Sequence, residues 1–559
     1  MSFELDSLSY ALLASIFSAA AMLSVRNARG PDIHPLLLNT QSDVSRVRYP
    51  GSSAIYRSRM YPNGSPLLYT MDRSIRTLKD FYGAAFEKYR TNVLVGGRTT
   101  AGSYSWSTYE AIEKKSKHIY SGLVHAGGLE PMSNNESSFV GVYASNSPDT
   151  LATEIGCQCA GLVTIPISAD ATSSHLSHIL RNSGLRVLVV DASLAERALN
   201  VIRGGNVAVK VLVILGGDNL AGNVKQNAEA MGIQLLNMRD VENKGTENPA
   251  EQVTPESTTI ASIYYTFADY KEGNKPGVVL THKNMVSVAA SYHAVIPPQQ
   301  RITPKDRLMH NFAIDNVFGH VLTAVLCVSG GSVAYGDEVA TGDVKVDVSS
   351  TLAPALEAKP TIYASGAPFL AQVKETIEAR YGNSFLFRRG LDKKKAYFEE
   401  GRLVTDSKYD MLVFRDIKQK TFGSNIRLVI MDNDDTGSDI ASFFRAVIGI
   451  QVLKALNLAE TCGTTALSMF YDYQLEKAAF GAPLPCNELK LEDMADQGYT
   501  SDDTPNPRGE IWIRGNNVFA GYWKDPSATS AVMDPDGWYM TSIIGEIQAN
   551  GTVKVIGRK

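Results

Sequence analysis

Cysteine is sparse in this sequence. The five present, Cys157, Cys159, Cys327, Cys462 and Cys486, form no CxxC pair and no Cys/His zinc spacing. A secreted chain of 559 residues would carry a richer, even set, which places the body in a reducing compartment such as the cytosol. Charge of one sign is also lacking. The 54 basic and 58 acidic residues nearly cancel, so no single-sign field steers the chain onto nucleic acid, and no nucleic-acid partner is expected. Repeats and low-complexity tracts are missing too. With 44% hydrophobic residues at this length, the chain reads as a large globular protein of several subdomains.

Long uncharged runs are absent with one exception, residues 8 to 25, LSYALLASIFSAAAMLSV. As a helix this run would span roughly 27 Å, barely a bilayer core. Glu4 and Asp6 precede it and Arg26 and Arg29 follow it. That order is wrong for a cleaved signal peptide and right for an anchor that leaves the body cytosolic. Residues 1 to 30 are therefore expected to be a membrane-anchor helix. A buried or interfacial helix is the alternative, because four serines and several alanines dilute the run.

Residues 31 to 79 form a Pro-, Ser- and Arg-rich lead that reads as an extended segment laid over a domain. From about residue 104 apolar runs alternate with helix-like stretches: SSFVGVYAS, TLATEIGCQCAG, LVTIPIS, HLSHILRNSG, LRVLVVDA. Such alternation predicts βαβ units and a parallel sheet covered on both faces. Further strand-like runs are VKVLVILGG, TIASIYYTF and SVAYGD, and helical periodicity is read in NMVSVAASYHAV and FFRAVIGIQVLKALN. The end, with GEIWIRG and TVKVIGRK, is strand-rich.

The segment FGAPLPCNELKLEDMADQGYTSDDTPNPRGEIWIRGNNVFAGYWKDP (480 to 526) is closely similar to the eukaryotic long-chain fatty acid:CoA ligases, members of the adenylate-forming, AMP-binding superfamily. So are GWYMTSIIGEIQANGTVKVIGRK, PGVVLTHKN, DNVFGHV, LNLAETCG and SYSWSTYEAIEKKSKHIYSGLVHAGG, all in collinear order over roughly residues 80 to 559. The resemblance implies an α/β fold, the adenylate-forming large N-terminal domain over residues 80 to 556, with parallel-sheet subdomains and a small β-rich subdomain. It implies that Gly557, Arg558 and Lys559 are the remnant of a hinge. Beyond that hinge the family carries a lid domain, for which these residues hold no counterpart. It further implies ATP and Mg²⁺ as cofactors, CoA as co-substrate, and a long-chain fatty acid as the small-molecule partner. By likeness to the family the compartment is the endoplasmic reticulum or a lipid droplet, with the peroxisome as an alternative.

The same resemblance assigns residues. Thr266, Gly273, Asn274 and Gly277 stand in the phosphate loop, where a Ser/Thr/Gly segment would wrap a triphosphate with backbone and hydroxyl donors. Glu460 falls at the magnesium-ligand position and is counted with Thr266 among the catalytic candidates. Asn316, which stands where the family has a histidine, and Thr461 and Arg558 fall at further nucleotide-binding positions. Around them the family pattern breaks. The loop reads YTFADYKEGNKPG, which sets Asp269 and Glu272 where a polyanion would lie, and like charges about 4 Å apart repel by roughly 1 kcal/mol in water. The adenine segment becomes MDNDDTGS and is expected to be a solvated surface loop carrying Asp432, Asp434 and Asp435. The stacking tyrosine is replaced by Leu456, the threonine beside the phosphate by Ala459, and the ribose-binding aspartate by Ile543. The expected function is that of a ligase-like protein with impaired nucleotide chemistry, a membrane-bound fatty-acid-binding or regulatory pseudoenzyme. The alternative is an active AMP-forming ligase with an unusual loop, or a fragment of one.

Overall fold

Strands that are apolar at every position need cover on both faces. In Phe139–Tyr143 all five residues are buried; Val140 and Val142 enter one apolar cluster, Phe139 and Tyr143 another. The strand Val187–Asp191 divides the same way, Val187 and Val189 against Leu188 and Val190, as the two-residue period requires. The computed structural model describes residues 6–559 apart from 28–29, 62–63, 100–101, 218–219, 221, 252, 266–275, 340–344 and 434–438. Among the described residues these strands belong to an eight-stranded sheet in the order Gly521–Tyr522, Val278–Thr281, Ile260–Tyr264, Val163–Ile167, Phe139–Tyr143, Val187–Asp191, Val211–Leu215, Gln234–Asn237. The first two pairings are antiparallel and the remainder parallel.

A second sheet, of fifteen strands among the described residues, joins two kinds of structure. Its parallel part runs from Val93–Arg98 through Ser332–Tyr335, Arg307–His310, Ile362–Gly366 and Leu428–Asp432 to Gln451–Leu458. From there the ladder turns antiparallel through Gly463–Leu467 and Ala479–Pro483 into the β-rich C-terminal part. The stretch 31–79 contributes a hairpin, Ser42–Arg48 with Ala54–Ser58, whose second strand pairs with Asn487–Glu492.

Helices Leu78–Tyr89, Tyr109–Gly127, Pro148–Cys159, His282–Val295 and Val317–Val328 lie between the sheets. Their buried residues share one cluster with Val140 and Val189 of the first sheet and with Leu308, Ile362 and Leu428 of the second. Other helices cover each outer face, Ser173–Ser183 and Ala195–Gly204 on the first, Val348–Ala358, Ala367–Tyr381 and Ile440–Val447 on the second. Local signals fix several starts. Thr77, Ser147 and Thr281 each close a reciprocal capping box, which satisfies donors that a helix N-terminus leaves open.

One expectation is corrected. The run FFRAVIGIQVLKALN is not one helix: helix Ile440–Val447 ends, Gly449 turns the chain at φ 70°, and Gln451–Leu458 is a strand with seven of eight residues buried. Short apolar runs carry both periods, and the left-handed glycine decides between them. At the N-terminus Ser7–Asn27 does form a helix, yet among the described residues no helix is long and apolar enough to cross a membrane.

The closest helix contact in the middle layer depends on two glycines. A Cβ on Gly245 of helix Met238–Glu247 would lie 1.8 Å from the His118 carbonyl oxygen, and one on Gly122 would lie 2.0 Å from that of Val241. Both obstacles are backbone, so neither can rotate away. Gly245→Ala is expected to destabilise the chain by about 1–3 kcal/mol, as overpacking does. The check is the urea midpoint; an unchanged midpoint would contradict the close crossing.

Candidate functional site

Five of the eight family-assigned positions can be located, and segment Phe519–Trp523 touches two of them, Gly277 and Glu460. Thr266, Gly273 and Asn274 lie outside the described residues. Gly277 leads into strand Val278–Thr281, and its carbonyl accepts from the Trp523 amide at 2.8 Å. A Cβ there would meet Ile263 Cγ2 at 2.3 Å and the Tyr265 ring at 2.7 Å. Packing alone therefore requires glycine at this position. Tyr265 is itself anchored, its hydroxyl donating to Asn182 Oδ1 at 2.6 Å.

Glu460 and Thr461 occupy a single turn, Ala459–Thr461, between strands Gln451–Leu458 and Gly463–Leu467. Cys462 closes that turn at φ 54°. Glu460 is buried at 7% exposure, which a surface reading of the sequence does not anticipate. Its Oε1 accepts from the Tyr522 hydroxyl at 2.8 Å, and its carbonyl accepts from the Phe519 amide at 2.8 Å. Because Tyr522 pairs with Val278, the carboxylate is drawn toward the strand that Gly277 opens. The Thr461 hydroxyl donates to the Gly463 carbonyl at 2.9 Å and meets Thr465 Oγ1 at 2.7 Å. It serves the turn itself.

Asn316 caps helix Val317–Val328, its Oδ1 accepting from the Gly319 amide at 3.0 Å. Such a side chain supplies an acceptor that an open helix start needs. The helix start abuts the Glu460 turn, since a Cβ on Gly463 would lie 3.4 Å from Phe318 Cα. Gly277, Asn316, Glu460 and Thr461 thus converge. Arg558 does not join them: it is exposed, in register with Ile543 on the neighbouring strand.

The positions that would hold adenosine by resemblance have taken two courses. Leu456 and Ile543, 3% and 1% exposed, enter one apolar cluster with Ala466, Ile511 and Ile513. Neither side chain has a polar atom, so neither position fits a ribose or the polar edge of a base. Asp432 is not the solvated surface residue expected. It ends strand Leu428–Asp432 half-buried, and Asn457 Nδ2 donates to its Oδ1 at 2.6 Å. Asn433 clamps the same partner, its Nδ2 donating to the Asn457 carbonyl at 3.1 Å and its Oδ1 accepting from the Asn457 amide at 2.8 Å. The chain of bonds continues, because Thr464 donates to Asn457 Oδ1 and shares a hydrogen bond with the Tyr292 hydroxyl, each at 2.7 Å. Asp434 and Asp435 lie outside the described residues.

Sequence reasoning missed an acidic group at the carboxyl ends of the parallel strands. Burial pushes Asp315 up to about 7 and Glu338 up to about 8, and Asp170 adds to both shifts. The Asn146 amide and side chain donate to Glu338 Oε1 at 2.7 and 2.8 Å. Asp315 stands beside Asn316 in the DNVFG motif; Glu338 has no sequence signal. Tyr522 was present in FAGYWKDP, but its bond to Glu460 becomes visible only in three dimensions. Among the described residues no group of three or more His, Cys, Asp or Glu is placed to hold a metal ion.

Two apolar spaces flank helix His282–Val295. One, of about 400 Å³, is lined by Phe81, Val286, Ala290, Ile296, Ile302 and Val328, with His293 and Arg301 among its polar groups. The other, of about 130 Å³, is lined by Val295, Leu467, Phe470 and Leu484 among others. His293 Nε2 is buried without a hydrogen-bond partner, and burial together with Arg301 lowers its pKa.

Two helix-covered sheets, with a buried glutamate in a turn of the larger one bonded to an edge strand of the smaller, define a layered α/β scaffold. Residues 85–523 match the AMP-binding enzyme family, and the chain belongs to it. Within that family it is similar to long-chain-fatty-acid–CoA ligase 5 of Mus musculus, 28% identical over 470 residues that cover 83% of this chain and 66% of the relative. The chain spans just under two thirds of that relative's length. Similarity to long-chain-fatty-acid–CoA ligase 1 of Homo sapiens is 25% over 533 residues, covering 94% of this chain and 73% of the relative. A solved long-chain-fatty-acid-CoA ligase from Archaeoglobus fulgidus shares the fold with a TM-score of 0.64 at 19% identity, covering 89% of this chain and 86% of that one.

One titration follows from this geometry. Burial raises Asp432 to about 6, above its unfolded value of about 4. The folded chain therefore holds this proton more tightly, and the stability tied to it is complete below about pH 4 and lost as pH rises through about 6. Asp432→Asn keeps the acceptor for Asn457 and abolishes the titration. Its stability relative to wild type should improve by about 1–2 kcal/mol between about pH 5 and about pH 7.5, a figure reduced for partial exposure. A pH-independent difference in denaturant midpoints would show that Asp432 titrates normally.

Proposed function

We propose that this chain is a long-chain fatty acid:CoA ligase-like protein whose nucleotide chemistry is impaired and which acts by binding a long-chain fatty acid, as a membrane-associated regulatory or sensor protein. The observation that carries the impaired reading is the common apolar cluster of Leu456 and Ile543. An ATP bound there would leave its ribose hydroxyls without an acceptor from either position, and each unpaired buried group costs roughly 1–3 kcal/mol. In this reading residues 80–556 are the AMP-binding large domain, with Glu460 its surviving cation-binding candidate. The fatty-acid reading is supported by the cleft beside helix His282–Val295, whose volume falls in the range of small-molecule pockets and whose walls are mainly apolar. The membrane reading is supported by helix Ser7–Asn27, where Tyr10, Leu12, Leu13, Ile16 and Phe17 are exposed. The compartment proposed is the endoplasmic reticulum or a lipid droplet, with a cytosolic body.

An active ligase is the competing reading, and buried, hydrogen-bonded Glu460 favours it. The two separate on ATP chemistry. With magnesium and palmitate present, the chain is expected to exchange pyrophosphate into ATP at least a hundredfold more slowly than an intact relative, as a loss of about 3 kcal/mol implies. Labelled palmitate should still bind, and Ala290→Phe, which narrows the cleft, should weaken that binding tenfold or more. Exchange at a relative's rate would refute the impaired reading; palmitate binding that ignores Ala290→Phe would refute the cleft.

A further inference from the structure

Helix Phe385–Glu399 and the π-helix Asp410–Phe414, which runs on into helix Arg415–Thr421, pack antiparallel on the outside of the fifteen-stranded sheet. Phe387 meets Phe414 at 5.8 Å between ring centroids, and Lys394 meets Asp410 at 2.5 Å. That ion pair is buried: the Lys394 side chain is 0% exposed and lies over the Phe414 ring, and Asp410 also accepts from the amide and hydroxyl of Ser407. A buried pair of this kind is weak evidence of net stability, but together with the Phe387–Phe414 contact it ties the two helices to each other. The relative setting of the two helices is therefore held firmly.

With the inward positions occupied in this way, four of the outward positions are apolar where a soluble surface would be polar. Phe385, Leu386, Met411 and Leu412 are 71%, 42%, 63% and 63% exposed. A π turn widens the helix at the last two, a distortion found frequently at functional positions. The charge around them is one-sided. Residues 380 to 420 hold eleven Lys and Arg against six Asp and Glu, in a chain whose net charge is -4. Arg388, Arg389 and Arg415 are exposed and form no ion pair with any described residue, and Lys393 and Lys408 lie over tyrosine rings. The exposed acids on these helices are Asp392, Glu399 and Asp416, the last paired with Lys420.

Exposed apolar side chains fringed by unpaired guanidinium groups match a surface that is oily below and anionic above, the outer layer of an acidic phospholipid bilayer. We propose that this helix pair is a peripheral contact with anionic phospholipid, its four apolar side chains entering the headgroup boundary and its arginines meeting lipid phosphates. The contact needs neither ATP chemistry nor the fatty-acid cleft, and it is separate from helix Ser7–Asn27.

The test is flotation of the full chain with vesicles of phosphatidylcholine alone or with phosphatidylserine added. Wild type is expected to prefer the acidic vesicles, and the preference should fade as salt is raised. R389E/R415E should reduce partitioning to acidic vesicles roughly thirtyfold, about fivefold for each charge removed and more for reversal, with little change on neutral ones. Arg389→Lys with Arg415→Lys should retain most of the binding, and M411S/L412S should weaken binding to both vesicle types. A full chain carrying Leu12→Ser, Ile16→Ser and Phe17→Ser reports the N-terminal helix separately and should keep the preference for acidic lipid. An R389E/R415E chain that melts like wild type and binds acidic vesicles equally overturns the proposal. So does a wild-type preference that high salt leaves intact, and so does equal binding to both vesicle types, which would leave this face to an acidic protein.

Discussion

Parallel strands without a polar side cannot meet water on either face, and that requirement orders the whole molecule. Helices must stand on both sides of each sheet, and the layer between the sheets serves both. Chemistry is thereby confined to the loops and strand ends where the layers meet. The turn Ala459–Thr461, the start of helix Val317–Val328 and the first residues of strand Val278–Thr281 meet in such a place.

That meeting place is half preserved. Its backbone architecture keeps the cap at Asn316, the packing glycine at 277 and the buried Glu460. The surfaces that would touch adenosine have gone two ways. Leu456 and Ile543 are core residues, whereas Asp432 is committed to Asn457 and through it to Thr464 and Tyr292. Both courses satisfy the folded chain internally: apolar groups found apolar neighbours, and polar groups found hydrogen-bond partners. In the proposed reading, a site altered in this way keeps its stability while losing its fit to a nucleotide.

Much of the fold was legible in the sequence because strands buried on both faces write themselves as unbroken apolar runs, as in LVTIPIS and LRVLVVDA, and helix starts as capped motifs. The stretch FFRAVIGIQVLKALN was not legible, since its apolar pattern suits either period and a single glycine torsion settles it. At the site, the family resemblance of LNLAETCG and DNVFGHV singled out Glu460 and Asn316 as candidates but could not reveal burial. Glu460 is inside because strand Gly521–Tyr522, distant in sequence, folds over it. Asp315 and Glu338 come together only through strand order, and no local pattern encodes that.

Strand Gln451–Leu458 is bonded on one edge to a parallel neighbour and on the other to an antiparallel one. It is therefore a seam through which the two halves of the fifteen-stranded sheet are sewn into one mechanical body. Pulling the β-rich part from the layered part means shearing a full ladder at once, so the halves cannot swivel against each other by a soft hinge at this strand. The turn carrying Glu460 is tied directly to the end of that seam. The backbone of that turn is thereby anchored to the seam, while its carboxylate is held from the other sheet by the Tyr522 hydroxyl, so one side chain joins the two sheets.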